Sequence, residues 1–326
     1  MLAKKACLTA LAAIIGCSAL IGTAAAATAY PEQPITLVVP FPPGGTSDTL
    51  ARGIAKGMTD RLGVSVVVEN KGGGGTVIGT QRVARAKADG YTLLWAATPI
   101  AINPTLYKQL PYDTVKDFYT VAHVAEMPLI LAVHPDSKIK TVGELVDLMK
   151  KGGQNVTYGS SGMGGSPHLA TALFLNKADV KATHVPYRGS SPSVMDLVAG
   201  RTTFVFDTLF LMLPQVEAGK LIPLGQTSDA RVPRVPNMPT VAEQGFPDFK
   251  VTSWFSVMTP AGTPADVIEK LNKTINDVLV DPSFSELYIK QGVKLTGGTA
   301  EEAQARLLKE IKTWGEAVKI SGATAE

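Results

Sequence analysis

The chain alternates short apolar runs with amphipathic helical patterns. In the first third, this pattern predicts strands over residues 35–41, 64–69 and 91–97, with a helix over residues 77–88. Between the first two strands, Leu50, Ile54, Met58 and Leu62 recur every four residues and mark one face of another helix. Strand–helix alternation of this kind predicts a parallel sheet with right-handed crossover connections.

A second series of the same kind begins at residue 129. It predicts strands over residues 129–133, 156–159, 183–187, 203–207 and 222–227. Helices are expected to begin at Ser166-Pro167 and Ser191-Pro192, each with the serine as N-cap and the proline at the first helical position. A strand over residues 251–259 and two more helices follow, and Thr299 and Glu302 give the last helix a capping box.

The organisation of the chain predicts two domains. A length of 326 residues is enough for two domains, each with its own core. No repeat and no low-complexity linker separates the two series, so we expect strands near residues 124–131 and 251–257 to pass between the domains. We therefore predict an α/β fold with a discontinuous domain 1 over residues 30–126 and 254–326, and domain 2 over residues 127–253.

The N-terminus has the pattern of an export signal. Lys4 and Lys5 precede an apolar run over residues 7–21, which is short for a membrane span of about 20 residues. Ala27-Thr28-Ala29 then fits an A-x-A cleavage site. We expect residues 1–29 to be a signal peptide that is cleaved during export to the periplasm.

Both cysteines of the chain, Cys7 and Cys17, lie within this segment. Cys17 ends the sequence IIGC at residues 14–17, which resembles a lipoprotein processing box, so a lipid anchor at Cys17 is the alternative to cleavage after Ala29. Cleavage after Ala29 would leave no cysteine. Such a chain has no disulfide, no thiol nucleophile and no cysteine metal site.

Composition and charge narrow the classes of partner. Hydrophobic residues make up 45% of the chain and charged residues 18%, which is typical of an ordered globular protein. The net charge of +3 becomes +1 without Lys4 and Lys5, because Lys and Arg then number 29 instead of 31 against 28 acids. No dense basic run follows, so we expect neither nucleic acid nor an anionic membrane surface as a partner.

Two loops rich in glycine and hydroxyl residues each follow a predicted strand and precede a predicted helix. They are residues 40–48 (PFPPGGTSD) and residues 158–168 (YGSSGMGGSPH), one in each predicted domain. A helix N-terminus offers unpaired N–H groups and partial positive charge, and glycine lets an anion approach them. One such loop is often only a tight turn. Two of them at the carboxyl ends of strands predict a shared anion site.

Catalytic patterns are missing from the chain. Neither loop fits G-x-G-x-x-G, no G-x-x-x-x-G-K-[ST] occurs, and residues 159–162 are one residue short of G-x-S-x-G. The four histidines have no metal-site spacing, and His168 is interpreted as a capping or packing residue. We therefore expect no catalytic residue, no metal and no cofactor.

Two charged residues remain open as site candidates. Asp207 ends an apolar strand, so its carboxylate either faces a ligand cleft or forms a salt bridge or an N-cap. Arg188 follows the strand over residues 183–187 and either reaches an anion or lies in solvent.

The chain resembles the substrate-binding proteins of tripartite tricarboxylate transporters, the Bug (TctC-like) family, over nearly all of residues 30–326. The resemblance rests on an ordered series of short segments. These are residues 30–35, 39–48 (VPFPPGGTSD), 69–71 with the following glycines, 89–93 (DGYTL), 103–107 (NPTLY), 110–113 (LPYD), 158–168 and 185–187 (VPY). Arg188 departs from many relatives, which have lysine or another residue there.

The resemblance implies a type II periplasmic-binding fold, with a ligand cleft between two α/β domains, and a monomeric receptor without a cofactor. It implies that a small carboxylate ligand is held by backbone N–H groups, hydroxyls and water. The residues carried over are Phe41, Gly45, Thr46 and Ser47 from one domain, Ser160, Gly162 and Ser166 from the other, and Thr98 and Asp207 lining the cleft.

The implied partner is a two-component membrane permease. Two alternatives stay open at this point. One is a receptor for an ATP-driven importer or a sensor, which the resemblance alone disfavours. The other is a periplasmic enzyme on a similar fold, which would need a nucleophile or an acid–base pair that these residues do not supply.

Overall fold

The sheet is built around one long strand that is shared by both halves of the fold. A computed structural model describes residues 30–152 and 155–325, so the predicted signal peptide and Cys17 lie outside the described residues. The strands are β1 (Ile35–Val39), β2 (Val66–Asn70), β3 (Thr92–Ala97), β4 (Phe118–Val133), β5 (Thr157–Ser160), β6 (Thr183–Pro186), β7 (Phe204–Thr208), β8 (Ile222–Gln226), β9 (Thr252–Pro260) and β10 (Lys294–Leu295).

Helices connect most of these strands and agree with the predicted alternation. They are α1 (Thr46–Leu62), α2 (Val77–Ala84), α3 (Pro99–Leu106), α4 (Val142–Gly152), α5 (Ser166–Ala178), α6 (Ser190–Val198), α7 (Leu209–Glu217), α8 (Ala265–Leu279), α9 (Pro282–Ile289) and α10 (Ala300–Ser321). The four-residue apolar repeat in α1 has the expected role, since Leu50, Ile54 and Met58 are fully buried.

The strand order is β2-β1-β3-β9-β4-β7-β5-β6, and β8 and β10 also pair with β4. The predicted parallel pairing holds for β1 with β2 and β3, and for β5 with β6 and β7. It is wrong for β4 and β9, which pair antiparallel with each other and with their other neighbours. The parallel prediction fails here because β4 (Phe118–Val133) is one long strand that lies antiparallel to its neighbours, and no helical crossover divides it into two parallel strands.

β4 changes partners in its middle. Residues Phe118 to Pro128 pair with β9, whereas Leu129 to Val133 pair with β7. We call the sheet region before this change, with β1, β2, β3 and β9, the first half, and the region after it, with β5 to β8, the second half. The prediction began this strand only at residue 129, because Thr120, His123 and Glu126 interrupt the apolar pattern of the earlier residues.

The described residues from 33 onward form one compact unit. Its larger apolar cluster draws on both halves, with Val38 and Leu94 from the first and Phe174 and Phe206 from the second. A smaller cluster includes Ile130 on the other face of β4. The domain boundaries at residues 126/127 and 253/254 stay a prediction.

Two helices begin earlier than predicted, α5 by one residue and α6 by two. The N-cap of α5 is Gly165 and that of α6 is Gly189, in place of Ser166 and Ser191. Gly189 has φ 106°, a conformation that side chains with a Cβ rarely adopt, and an added Cβ would lie 2.9 Å from Pro42. The serines are therefore free to make other contacts. The capping box of α10 is confirmed, since Thr299 and Glu302 exchange both expected hydrogen bonds.

Shortening Ile130 should destabilise the whole sheet, because this fully buried side chain lies on the strand that both halves share. We expect Ile130→Ala to lower the free energy of unfolding by about 2–5 kcal/mol in urea denaturation. Val67→Ala is the control, because Val67 is 53% exposed in β2 and should change stability by only about 0.5 kcal/mol. Equal effects of the two substitutions would contradict this role of β4.

Candidate functional site

A cavity of about 100 Å³ lies where several helices begin. This volume holds several waters or a small organic molecule, because one water needs about 10–15 Å³. We call it the inner cavity. Its wall is formed by Phe41, Pro42, Pro43, Gly45, Thr46, Ser47, Ala97, Pro99, Ser161, Gly165, Ser166, Pro167, Arg188, Gly189, Ser190, Ser191, Pro192, Thr208, Ser253 and Phe255.

The N-caps of four helices are part of this wall. They are Gly45 for α1, Gly165 for α5, Gly189 for α6 and Thr208 for α7. None of the four helix starts has a side-chain hydrogen bond to its first turn. The N-terminal N–H groups and their partial positive charge are therefore available to an anion in the cavity.

The loop before α1 is held in shape by the buried carboxylate of Asp48. It accepts hydrogen bonds from Gly44 N at 3.0 Å, Arg52 Nε at 3.0 Å and Asn70 Nδ2 at 2.8 Å. Burial opposes ionisation of Asp48, but these donors outweigh it and lower its pKa. The Ser47 hydroxyl accepts from Trp95 Nε1 at 3.0 Å, which fixes its position on the wall.

The loop before α5 rests on two stacked imidazoles. Ser160 Oγ lies 2.6 Å from His184 Nε2, and Gly164 N donates to His168 Nδ1 at 3.4 Å. The two rings are 4.4 Å apart between centroids, and burial lowers the pKa of each histidine to about 4. Both rings are therefore neutral at pH 7, and His168 supports the loop by packing and by accepting a hydrogen bond.

The two halves of the fold meet across the cavity through hydroxyl groups. Thr46 Oγ1 lies 2.7 Å from Thr208 Oγ1, and Ser191 Oγ donates to the Gly44 carbonyl at 2.9 Å. Ser166 Oγ donates to Ser253 Oγ at 3.2 Å. These contacts bring the loop before α1 next to the starts of α6 and α7.

The structure brings together five of the residues predicted to bind a ligand. Phe41, Gly45, Thr46, Ser47 and Ser166 all line the inner cavity. Gly162 lines a larger cavity next to it. That these residues bind a ligand stays a prediction, but their common position agrees with it.

The other three predicted residues are fully buried and line neither cavity. Thr98 Oγ1 accepts from Trp254 N at 3.2 Å, Ser160 is bonded to His184, and Asp207 Oδ1 accepts from Thr208 N at 2.7 Å. Thr98 and Asp207 were expected to line the cleft. Their side chains are instead engaged behind its wall, because nearby backbone and side-chain donors hold them there.

Several polar wall residues were not predicted as ligand contacts, namely Ser190, Ser191, Thr208 and Ser253. The sequence GSSPS at residues 189–193 follows a strand and opens a helix, as the two predicted loops do. The same pattern could therefore have predicted an anion contact here, but the sequence was interpreted only as a helix cap. Thr208 and Ser253 are single hydroxyl residues at strand ends, and no sequence feature distinguishes them. Arg188, whose role was left open, is exposed and lies on the wall.

Asp207 is the most strongly perturbed carboxylate near the site. Its side chain is fully buried, and within the described part of the chain its Oδ2 has no hydrogen-bond partner. Burial raises the pKa of Asp207 to about 6, although the nearby Ser190 hydroxyl and the Thr208 N–H oppose the rise. Among the described residues Asp207 forms no salt bridge, and the N-cap of α7 is Thr208. Asp207 therefore has neither the salt-bridge role nor the N-cap role that the sequence left open.

Residues 30–152 and 155–325 contain no cluster of three or more His, Cys, Asp or Glu side chains that could hold a metal ion. In the same ranges, no helix combines the length and apolar character needed to cross a membrane.

Comparison with known proteins identifies the family. The model of the tripartite tricarboxylate transporter family receptors matches residues 50–322. The chain belongs to this receptor family. It is 35% identical to Protein BugT of Bordetella pertussis over 321 residues, which cover 97% of this chain and 98% of BugT.

Solved structures of receptors agree with this membership. Rpa4515 of R. palustris, solved with adipate, superimposes with a TM-score of 0.87 at 35% identity, covering 90% of this chain and 99% of Rpa4515. MatC from Rhodopseudomonas palustris, solved with bound malate, has a TM-score of 0.83 at 29% identity, covering 89% and 100% of the two chains. The α/β periplasmic-binding fold is therefore confirmed, and a member of this receptor family is a solute-binding protein, not an enzyme.

Replacing Asp207 with asparagine should change how stability depends on pH. Folding raises the pKa of Asp207 from 3.8 to about 6. The folded protein therefore favours the protonated carboxyl, and this favourable contribution to the free energy of unfolding is present at low pH and is lost as pH rises through about 6. We expect Asp207→Asn to be more stable than the wild type by about 2–3 kcal/mol at about pH 8, with this difference disappearing near pH 4.

Urea denaturation of both proteins at the two pH values measures this difference. Asp60→Asn on the exposed face of α1 is the matched control, because it removes the same charge from a solvated position. A stability difference for Asp207→Asn that is the same at both pH values would contradict the raised pKa.

Proposed function

We propose that this receptor captures a small organic carboxylate in the inner cavity, in the periplasm, and delivers it to a two-component membrane permease. The observation that carries the proposal is the convergence of four uncapped helix starts on one cavity whose wall contains no aspartate or glutamate. An anion in this position would satisfy N–H groups that the helices themselves cannot satisfy. Relatives solved with adipate and malate support a carboxylate as that anion.

In this proposal, the carboxylate contacts the residues of both helix-start loops. Phe41, Gly45, Thr46 and Ser47 bind from the first half and Ser166 from the second, and we add Ser190, Ser191, Thr208 and Ser253. Thr98, Ser160, Gly162 and Asp207 act next to these contacts by holding the strands and loops in position. These contacts are hydroxyls and backbone N–H groups, so the positive charge that they offer to the carboxylate is that of the helix ends.

Closure of the two halves would complete the site. The Thr46–Thr208 and Ser191–Gly44 hydrogen bonds join the halves directly beside the cavity and must break for them to separate. Closing excludes water, which strengthens each hydrogen bond to a charged carboxylate. We propose that the halves move as the two domains, residues 30–126 with 254–326 and residues 127–253, about hinges in β4 and at the start of β9.

The route and the assembly state are part of the same proposal. Residues 1–29 would direct export and be removed, with lipidation at Cys17 as the alternative, and the receptor would act as a monomer. Family membership supports a permease as partner more than an ATP-driven importer.

A ligand panel tests the proposed function. Linear dicarboxylates, aromatic acids, amino acids and neutral sugars are screened by thermal shift, and hits are measured by calorimetry. We expect at least one acid to stabilise the protein, by about 2.7 kcal/mol when its concentration is 100-fold above Kd. Binding of a neutral sugar with failure of every acid would exclude an anion site.

A charge placed at the start of α5 tests the position of the site. Ser166→Asp should abolish carboxylate binding, because its carboxylate would repel the ligand while remaining compatible with a helix N-terminus. Ser166→Asn is the matched control of the same size without the charge, and it should retain most of the affinity in calorimetry. If Ser166→Asp binds as tightly as Ser166→Asn, the carboxylate lies elsewhere.

A further inference from the structure

A second and larger cavity, of about 510 Å³, adjoins the inner cavity. We call it the outer cavity. The two share the wall residues Phe41, Pro42, Pro43, Pro99, Ser161, Gly165, Arg188 and Gly189. Its remaining wall is formed mainly by backbone of the glycine tract at residues 72–75, with Asn70, Met163 and Tyr187. A ligand whose carboxylate lies in the inner cavity therefore has room to extend into the outer one.

Arg188 is the one charged side chain among the residues that line the two cavities. No aspartate, glutamate, lysine or histidine lies on either wall. Because Arg188 lines both cavities, a ligand that extends from the inner cavity into the outer one would meet a guanidinium and no carboxylate. An ammonium group would be repelled there, whereas a second anionic group would be attracted.

Arg188 is also unusual among the arginines of the described chain because its charge has no partner. Seven of these arginines have a carboxylate within salt-bridge distance, namely Arg52, Arg61, Arg82, Arg201, Arg231, Arg234 and Arg306. Within residues 30–152 and 155–325, neither Arg188 nor Arg85 has such a partner. Arg85 is exposed and lines neither cavity.

The backbone on both sides of Arg188 is fixed, so the guanidinium is presented from a defined point. Tyr187 N donates to the Ser160 carbonyl at 3.1 Å, and Gly189 N donates to the Ser161 carbonyl at 3.2 Å. The Tyr187 hydroxyl donates to Asp196 Oδ2 at 2.7 Å, which holds that ring against α6. These bonds tie Arg188 to the loop before α5, whose helix start lines the inner cavity.

We infer that Arg188 forms a second anion subsite and that the ligand of this receptor is a dicarboxylate. This inference rests on the proposed function, because the helix starts must first hold one carboxylate. The planar guanidinium then pairs with the second carboxylate through two parallel hydrogen bonds. Arg188 thereby selects against monocarboxylates, and against acids with an amino group at the far end of the chain, which place a neutral or positive group at the same position.

Matched pairs of ligands test the inference. Malonate, succinate, glutarate, adipate and pimelate are each compared by calorimetry with the corresponding monomethyl ester, which keeps the chain and removes one charge. We expect the wild type to bind its best dicarboxylate about 10- to 100-fold more tightly than that ester. Arg188→Gln should remove this difference by weakening binding of the diacid far more than binding of the ester, and Arg188→Lys should restore part of it.

Arg85→Gln is the matched control, and it should keep the wild-type preference because Arg85 lies on neither wall. Persistence of the preference in Arg188→Gln, or an equal loss of affinity for diacid and ester, would overturn the second subsite while leaving the first intact. Tight wild-type binding of an ester or an aromatic monoacid instead of any diacid would also overturn it. Failure of every acid, charged at one or both ends, would overturn the proposed function itself.

Discussion

The first turn of a helix contains N–H groups that the helix cannot satisfy, and this protein directs four such turns at one small cavity. Much of the local sequence follows from this constraint. Glycine at three of the four N-caps leaves the N–H groups accessible, since it contributes no side chain to bond with them. Serine and threonine on the wall supply hydroxyls that can donate or accept, and acidic residues, which would compete with a ligand anion, do not line it. The carboxylate that does lie close by, Asp207, is buried behind the wall, and its raised pKa reflects the unfavourable environment for its charge.

β4 pairs with strands of both halves of the sheet. Its first part pairs with β9 and its second part with β7, so the loops at the ends of strands from both halves meet on one edge. In the proposed closure, the change of pairing partner at Pro128 and Leu129 is the point of β4 about which the halves would bend.

Much of the fold could be predicted from the sequence, because its strands and helices have strong periodic patterns and each half contains a regular strand–helix series. The loops before α1 and α5 were also predictable, since glycine and hydroxyl residues between a strand and a helix have a direct physical meaning. The early part of β4 was not, because polar residues on a buried strand break the pattern. The starts of α6 and α7 were not predicted as part of the candidate site. Which helix starts lie around one cavity depends on the order of strands in the sheet, and local residue spacing does not show this order. Thr98 and Ser160 face the interior for the same reason, since their partners Trp254 and His184 are distant in sequence.

In the proposed closure, the hydroxyl contacts between the halves would also affect how long a captured ligand is held. Ser191 Oγ bonds to the Gly44 carbonyl at the edge of the inner cavity, and such a bond contributes about 1 kcal/mol net. Losing one contact of this kind would accelerate opening about fivefold, because an energy of this size changes a rate by that factor at room temperature. Ser191 is also one of the proposed ligand contacts, so this change would remove one hydroxyl from the site, whereas the N–H groups of the four helix starts would be unchanged. Exchanging single serines and threonines at the contacts between the halves, such as Thr46–Thr208 and Ser191–Gly44, would therefore change how long a captured molecule is held. Such changes could match the release of the ligand to a slow or a fast membrane partner.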